Sequence, residues 1–306
     1  MNNKEAAMKT GIFQEGRRFV VYKDGEVIKR ANMRIHAENF FAKTQKGFEQ
    51  VSVSVASEVE PSKFHVNKRF QFLNKTVKMV AKGLQNSAVI SGSGGLGKSY
   101  SVKKALYEAG LKDLSVEGTQ EGVRLNRSKS FVVVKGYSTA KGLFRTIYES
   151  KDSVLVFDDC DSVLKDPVAL NLLKGALDSY DTRIISWNAD MRDDDLPKSF
   201  IYTGRIIFIS NLPESKIDQA IRSRSAVIDV SMTTDEVVDR MGVMIEEDEF
   251  LPEFEKNIKV DALEFIAKMK NKMREINLRT LITVCKVRAA DEDGTWAEMA
   301  EYLVCK

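Results

Sequence analysis

The sequence predicts an α/β fold, in which a core with a parallel β-sheet follows a small β-rich module and precedes an α-helical region. From about Phe70, helical segments alternate with short strands, as in sheets whose parallel strands are joined by helices. The strand segments are continuous apolar runs, which is typical of strands buried on both faces. After Val230 the remaining pattern is helical.

The chain is expected to divide at residues 65 and 230 into a module over 1–65, a core over 66–230 and a helical lid over 231–306. In the module, two β-prone runs flank Asp24-Gly25, which predicts a hairpin over 17–28. A short helix over 37–43, a strand over 51–55 and a linker over 58–63 are expected to follow.

The core elements are expected from the spacing of apolar residues, which is helical in some segments and continuous in others. In order they are a helix over 72–84, a strand over 88–90, a helix over 99–109, a strand over 131–134, a helix over 140–148, a strand over 154–157, a helix over 168–177 and a strand over 206–209. Strands over 183–187 and 199–202 predict a hairpin inserted before the last of these. In the lid, Thr233 and Glu236 have capping-box spacing, and helices are expected over 261–273 and 278–289.

The composition of the 306 residues is that of a soluble globular protein, with 43% hydrophobic and 30% charged residues. No apolar run approaches the roughly 20 residues of a membrane span, and the N-terminus lacks the apolar stretch of a secretory signal. The three cysteines have no metal-ligand spacing. We therefore expect a cytoplasmic protein with no membrane contact.

The net charge of +3 conceals an asymmetry between the two halves of the chain. Residues 1–150 contain 26 Lys and Arg against 13 Asp and Glu, whereas residues 151–306 contain 21 against 31. A basic front half is compatible with binding to a phosphate backbone, and equally with ordinary solvated surfaces. In the module, basic residues interleave with Phe19 and Tyr22, a pattern that suits either single-stranded nucleic acid or a plain sheet; they are Arg17, Arg18, Lys23, Lys29, Arg30 and Arg34.

A glycine-rich loop matches the phosphate-binding pattern G-x-x-x-x-G-K-[ST] at every fixed position. Its residues are Gly92, Ser93, Gly94, Gly95, Leu96, Gly97, Lys98 and Ser99, and Tyr100 follows as a further candidate for nucleotide contact. Glycines let backbone N–H groups turn toward the phosphates, while Lys98 reaches the β- and γ-phosphates and Ser99 offers a hydroxyl to Mg²⁺. A predicted strand before the loop and a helix after it supply the required context, so ATP with Mg²⁺ is the expected ligand.

An apolar strand ends in Asp158 and Asp159, 60 residues after Lys98. A buried parallel strand delivers its last residue to the sheet edge beside the phosphate loop, so Asp158 is the candidate Mg²⁺ ligand together with Ser99. Asp159 is the candidate for orienting or deprotonating the attacking water, and Asp161 is a second candidate.

Further motifs resemble those of AAA+ ATPases, over roughly residues 70–290. The strand ending in Ser210-Asn211 resembles sensor 1, which implies that Asn211 contacts the γ-phosphate or the water. The stretch ending in Ser223-Arg224-Ser225 is similar to the clamp-loader finger motif, which implies that Arg224, or second Arg222, reaches the neighbouring subunit's nucleotide. The segment Asn277-Leu278-Arg279 resembles sensor 2, which assigns Arg279 to the nucleotide.

The resemblance implies a homo-oligomer, most simply a hexameric ring, with active sites shared between neighbours. The compact arrangement also looks like small phage- or plasmid-encoded AAA+ ATPases, which would act in the host cytoplasm. Superfamily 3 helicases combine similar motifs with a basic hairpin before sensor 1. Here that hairpin tip is acidic, with Asp190, Asp193, Asp194 and Asp195 against Arg192 and Lys198, which argues against the same grip on DNA.

Three functions remain open from the sequence. The first is an ATP-driven machine that remodels DNA or a nucleoprotein complex in replication or recombination. The second is a protein-remodelling ATPase without a nucleic-acid role. The third is a nucleotide-binding scaffold with negligible hydrolysis, because Asp159 is one methylene shorter than the glutamate that most AAA+ proteins have there.

Overall fold

The computed structural model describes residues 11–15, 18–23, 26–31, 62–117, 127–136, 139–180, 182–187 and 196–305. The chain divides into two compact units, Met1–Glu58 and Val59–Lys306. The described part of the first unit contains an antiparallel sheet in the order β1 (Gly11–Glu15), β2 (Arg18–Lys23) and β3 (Glu26–Ala31). The pairing of β2 with β3 confirms the hairpin predicted around Asp24-Gly25. The predicted helix over 37–43, the strand over 51–55 and most of the linker lie outside the described residues.

The second unit is built on a parallel sheet, which within the described residues has six strands in the order β11–β4–β10–β7–β6–β5. Their bounds are β4 Ser87–Ser91, β5 Lys112–Asp113, β6 Ser130–Lys135, β7 Val154–Asp158, β10 Arg205–Ile209 and β11 Ala226–Asp229. Because all neighbours are parallel, the carboxyl ends of β4, β10, β7 and β6 lie along one edge of the sheet. This edge is where the chemistry-bearing motifs predicted from the sequence emerge.

Helices cover both faces of this sheet and continue beyond it. They are α1 Val66–Ala81, α2 Lys98–Glu108, α3 Leu114–Glu117, α4 Ala140–Glu149, α5 Pro167–Ala176, α6 Gln219–Arg222, α7 Thr234–Met244, α8 Lys256–Met269, α9 Leu278–Ala289 and α10 Trp296–Val304. The predicted α/β class, with a parallel sheet followed by helices, is confirmed. Among the described residues, no helix is both long enough and apolar enough to cross a membrane.

The core lies in two layers, because successive strand side chains point to opposite faces of the sheet. On one face, Ile90, Val156 and Ile207 pack against α1, α2 and the helices after residue 230. On the other, Val89 and Leu155 pack against α4, α5 and a hairpin. These strand residues are 0 or 1% exposed, which explains why their segments read as unbroken apolar runs.

The hairpin predicted before β10 is present as β8 (Arg183–Ser186) paired antiparallel with β9 (Ser199–Tyr202). Arg183 fixes its base: the buried guanidinium donates to the carbonyl oxygens of Ala176 and Gly204, at 2.8 Å each, and lies over the Tyr202 ring. The acidic residues expected at the tip, 190–195, lie outside the described residues.

The predicted core elements are confirmed within a few residues, with three informative differences. Helix α1 begins at Val66 rather than 72, because the His65 side chain accepts from the N–H of Asn67 and caps it. Helix α8 runs from 256 to 269 rather than 261 to 273. Strands β5 and β11 and helix α10 were not predicted; β11 is a half-buried edge strand whose apolar run, Ala226-Val227-Ile228, has the same three residue types as that of β4. The three-part division at residues 65 and 230 stays a prediction.

The predicted capping box is confirmed at the start of α7, where Thr233 Oγ1 accepts from the Glu236 N–H and Glu236 Oε2 accepts from the Thr233 N–H. Glu236 also accepts from Arg69 of α1 at 2.5 Å, and Arg69 donates to the carbonyl oxygens of Phe64 and Ser231. Arg69 is only 5% exposed. These bonds join α1 directly to the segment that leads from the sheet into the lid helices.

Candidate nucleotide-binding site

The phosphate loop spans residues 92–97, between the end of β4 and the start of α2. Gly97 is the N-cap of α2 and has a left-handed backbone, φ +84°. Because glycine has no side chain, the first N–H groups of the helix are not capped by one. Uncapped N–H groups and the helix dipole favour an anion at this position. The described geometry therefore fits the phosphate-binding loop that the sequence predicted.

Lys98 is buried within this loop, with 5% exposure. Its Nζ donates to the carbonyl oxygens of Gly92 and Ser93, at 2.7 Å each, and to Oδ1 of Asn211 at 2.9 Å. Burial lowers the pKa of Lys98 from 10.5 to about 8, although the nearby Asp159 and Asp158 carboxylates act in the opposite direction. The ammonium of Lys98 is held by two carbonyl oxygens and one amide oxygen, which phosphate oxygens could replace if a phosphate bound in the loop.

Asp158, the last residue of β7, is 2% exposed and lies beside the loop. Its Oδ1 accepts from the Ser99 hydroxyl at 2.7 Å, and its Oδ2 forms an ion pair with Lys135 at 2.9 Å. A hydroxyl and a carboxylate in contact form the all-oxygen set that Mg²⁺ prefers. Ser99 and Asp158 therefore fit the predicted metal site as the residues that would hold the ion.

Asp159 is exposed and faces the cavity, because its backbone is in the left-handed region with φ +57°. Its Oδ1 accepts from Asn211 Nδ2 at 2.6 Å. Since Asn211 also accepts from Lys98, one amide side chain links the lysine to the candidate base. Asp161, the second candidate, instead accepts from the Ser210 hydroxyl at 2.6 Å and is not among the residues that line the cavity.

The start of α9, in the predicted lid, lies against the loop. The N–H of Leu278, at the first position of α9, donates to the carbonyl oxygen of Gly95 at 2.9 Å. A Cβ at Gly95 would lie 2.8 Å from Cγ of Asn277, and one at Gly97 would lie 2.9 Å from Cδ1 of Leu278. Loop and lid helix are therefore in direct van der Waals contact, and glycine at these two positions permits it.

A cavity of about 290 Å³ lies between loop, sheet edge and lid. Its polar lining residues include Lys98, Asp159, Asn211 and Arg279, and its apolar lining comes from both α2 and the helical region after residue 230, namely Tyr100, Met244, Phe250, Leu278 and Ile282. Arg279 is exposed and lines the cavity, and its nucleotide role stays a prediction. The remaining loop residues Gly95, Leu96, Gly97 and Ser99 also line it.

Arg222 and Arg224 lie elsewhere. The Arg224 carbonyl oxygen accepts from Ser87 Oγ at 3.0 Å, at the amino end of β4, whereas the phosphate loop follows the carboxyl end. The Arg224 guanidinium donates to the Ala220 carbonyl oxygen, and Arg222 lies 3.8 Å from Glu214. Neither arginine is among the residues that line the cavity of its own chain, and their action on a neighbouring subunit stays a prediction.

Several residues of the site were not identified from the sequence. Lys135 pairs in register with Asp158 on the adjacent strand, and the Asp158 carboxylate raises the pKa of Lys135. The signal was available, since both residues end apolar runs of neighbouring parallel strands. Met244 and Phe250 carried no such signal, because their place beside Tyr100 depends on how the lid folds back. Within the described residues, no cluster of three or more His, Cys, Asp or Glu side chains could hold a metal ion.

Comparison with known proteins finds a phage protein that is similar in sequence to this chain. No family model matches it. An uncharacterized 36.7 kDa protein of Enterobacteria phage T4 is 27% identical over 281 residues, covering 84% of this chain and 80% of the relative. Among solved structures, C. elegans PCH-2 superposes with a TM-score of 0.40 and 14% identity, covering 80% of this chain and 70% of that one. The chain is thus similar to a bacteriophage protein over most of its length.

Proposed function

We propose that this protein is an ATPase that binds ATP with Mg²⁺ at residues 92–99. The observation that carries the proposal is the convergence of Lys98, Ser99, Asp158, Asp159 and Asn211 at the carboxyl ends of three adjacent strands. These groups come from three segments, at 98–99, 158–159 and 211, and together they supply an anion-binding loop, a cation, a metal-binding pair and a carboxylate. That is the set of parts phosphoryl transfer to water requires.

The roles follow from the positions. Lys98 would exchange its carbonyl partners for phosphate oxygens, and the uncapped N–H groups of α2 would bind the same phosphates. Asp159 faces the cavity and would orient the attacking water, with Asn211 holding the carboxylate in place. Mg²⁺, held by Ser99 and Asp158, would neutralise charge on the transferring phosphoryl group. The apolar lining of the cavity, at Tyr100, Met244, Phe250 and Ile282, suits the nucleoside.

Turnover of ATP by the purified protein tests this proposal, with Lys98→Ala as the first variant. Losing the ammonium should abolish both nucleotide affinity and turnover, because no other described lysine donates to the loop carbonyls. A fluorescent ATP analogue reports binding, and released phosphate reports turnover. A Lys98→Ala protein with wild-type turnover would refute the assignment of the loop.

We further propose that the ATPase works as a homo-oligomer on DNA or a nucleoprotein complex. The basic front half of the sequence supports a phosphate-rich substrate, and the position of Arg224 away from its own cavity supports a shared site. Turnover measured with and without single- and double-stranded DNA, at two salt concentrations, tests the substrate. If DNA raises turnover and the effect weakens at the higher salt concentration, DNA is supported as the substrate. If only an unfolded polypeptide raises turnover, the protein-remodelling alternative is supported.

A second candidate, a nucleotide-binding scaffold with negligible turnover, is favoured by one observation. The short Asp159 carboxylate is hydrogen-bonded to Asn211 rather than free in the cavity. If the short side chain limits turnover, Asp159→Glu should raise the rate well above the wild type while nucleotide affinity stays the same. An unchanged or lower rate in Asp159→Glu favours the ATPase.

A further inference from the structure

Lys135 is a charged group at the site to which none of the roles above assigns a task. It is the last residue of β6 and lies directly opposite Asp158 in the parallel register. Its Nζ is 2.9 Å from Asp158 Oδ2, while Ser99 Oγ donates to the other oxygen, Oδ1. Both oxygens of the carboxylate that would hold the metal therefore already have partners.

A buried carboxylate needs a countercharge, and in the described structure Lys135 is the cation in contact with Asp158. The other nearby cation, Lys98, donates to Gly92, Ser93 and Asn211 and not to Asp158. Removing water from a carboxylate is costly unless a cation or hydrogen bonds replace it. The ion pair with Lys135 thus compensates the burial of Asp158 when no metal is present.

The two partners differ sharply in their freedom to move. The Asp158 side chain is 2% exposed and fixed by its strand, whereas the Lys135 side chain is 66% exposed. A lysine stem can turn its ammonium into solvent at small cost, because the ammonium regains hydration as it leaves. The carboxylate has no such alternative.

We propose that Lys135 is a positioning residue that neutralises Asp158 in the nucleotide-free site and competes with the divalent cation for that carboxylate. The inference rests on the proposed function, since it takes Ser99 and Asp158 as the residues that would hold Mg²⁺. In this role, Lys135 is a counter-ion within the chain that sets how strongly the affinity for nucleotide depends on Mg²⁺.

Linkage makes the proposal quantitative. A group that stabilises only the metal-free protein must weaken metal binding by the same free energy. Replacing Lys135 by Met keeps the length of the stem and removes the charge. The variant should therefore be less stable without metal and nucleotide, and should bind the metal–nucleotide pair more tightly.

The experiment measures the affinity for a fluorescent ADP analogue with EDTA and with saturating Mg²⁺, on wild type and Lys135→Met. The affinity with Mg²⁺ divided by the affinity with EDTA is expected to be about threefold to tenfold larger in the variant than in the wild type, the range for an ion pair with one buried partner. Thermal unfolding in EDTA without nucleotide should show a midpoint lower by about 2–4 °C, and saturating Mg²⁺ with ADP should remove that difference. Neither readout depends on turnover.

Two further variants separate this role from a merely structural one. Lys135→Arg keeps the charge and should behave like the wild type. In an Asp158→Asn background, Lys135→Met should no longer change the unfolding midpoint in EDTA, because the carboxylate it neutralises is gone.

The outcomes are distinct. An unchanged Mg²⁺ ratio in a folded Lys135→Met protein would overturn this inference and leave the proposed function standing. A lower ratio would also overturn it, since Lys135 would then support the bound phosphates. Nucleotide binding by the wild type that is indifferent to Mg²⁺ would overturn both proposals.

Discussion

At the scale of single residues, the adjacent carboxylates Asp158 and Asp159 differ because the backbone turns between them. Asp158 ends a strand, so its side chain is held beside Ser99 and is almost fully buried. Asp159 has φ +57°, a left-handed conformation that costs a non-glycine residue about 1 kcal/mol or more. Its N–H donates to the Ile209 carbonyl oxygen at 3.2 Å, which helps to fix the turn. The turn directs the second carboxylate into the cavity.

This difference gives the first prediction. Asp159→Asn should lower turnover by about 10²-fold to 10⁴-fold, the range for loss of a positioned general base, while nucleotide affinity changes little. Phosphate release and fluorescent-nucleotide binding measure the two effects. Asp161→Asn is the matched control: its carboxylate accepts from Ser210 and does not line the cavity, so turnover should stay near the wild type. If the two variants exchanged these behaviours, Asp161 would be the base.

Gly95 and its neighbour Gly94 allow a second prediction with its own control. Gly95 has φ +74°, and an added Cβ would lie 2.8 Å from Asn277, so Gly95→Ala should push α9 off the loop. We expect weaker nucleotide binding and a loss of about 1–3 kcal/mol in the free energy of unfolding. Gly94→Ala meets nothing nearer than Asn211 Oδ1 at 3.8 Å and should cost far less. Denaturant unfolding measures both; equal costs would show that the loop–lid contact is unimportant.

At the scale of elements, the junction between α1 and the lid depends on the charge of Glu236. Desolvation alone would raise the pKa of this carboxyl, but the hydrogen bond from Arg69, the Thr233 N–H and the charge of Arg69 outweigh it, and the pKa falls below 4.5. A carboxyl whose pKa is lower in the folded state than in the unfolded state stabilises the fold above the unfolded pKa. That stability is lost as the pH falls through the folded pKa.

The third prediction follows from this sign. Glu236→Gln should be less stable than the wild type at pH 7, because the amide can keep the capping box but not the ion pair with Arg69. The difference in free energy of unfolding should begin to shrink as the pH falls below about 4.5, where the unfolded carboxyl binds a proton, and should disappear once the pH is below the lower pKa of the folded carboxyl. Denaturant unfolding at pH 7, 5 and 4 measures it. A difference that grows on acidification would contradict the assignment.

The strands and the site residues differ in how well the sequence predicted them. The central strands were predictable because burial on both faces leaves an unbroken apolar run, as in Val154-Leu155-Val156-Phe157. The phosphate loop, the paired aspartates and Asn211 were predictable because each follows such a strand. Strand β11 was missed although its run Ala226-Val227-Ile228 matches Ala88-Val89-Ile90 of β4, because no glycine loop or paired acids follow it to mark it as a strand. Lys135 could have been found, because it ends an apolar run just as Asp158 does on the neighbouring strand. Met244 and Phe250 could not, because they reach the site only through the folding of the helices after residue 230, which a linear pattern does not encode.

At the scale of the whole molecule, the candidate nucleotide cavity and Arg224, the candidate finger, lie at opposite ends of the same strand. Strand β4 leads into the phosphate loop at Ser91, while Ser87 at its start holds the backbone of Arg224. Five residues of extended strand separate the two by roughly 15 Å, more than an arginine side chain spans. Arg224 therefore does not reach the cavity of its own chain, and a role for Arg224 in the proposed ATPase requires a neighbouring copy.

This separation yields the last prediction, which requires a mixture of variants. Lys98→Ala and Arg224→Ala should each be inactive alone, the first for lack of nucleotide binding and the second with binding intact. Mixed in equal amounts, they should regain turnover, because an Arg224→Ala chain keeps a complete loop and its Lys98→Ala neighbour supplies Arg224. Random mixing in a closed ring makes about a quarter of the sites complete. Mixing Arg222→Ala with Lys98→Ala distinguishes the two arginines. Arg222→Ala should be active before mixing, since in the wild type the Arg222 guanidinium has a carboxylate partner, Glu214 at 3.8 Å, whereas the Arg224 guanidinium donates to the neutral carbonyl oxygen of Ala220. If the oligomers exchange subunits but the mixture of Arg224→Ala and Lys98→Ala does not recover turnover, each chain completes its own site.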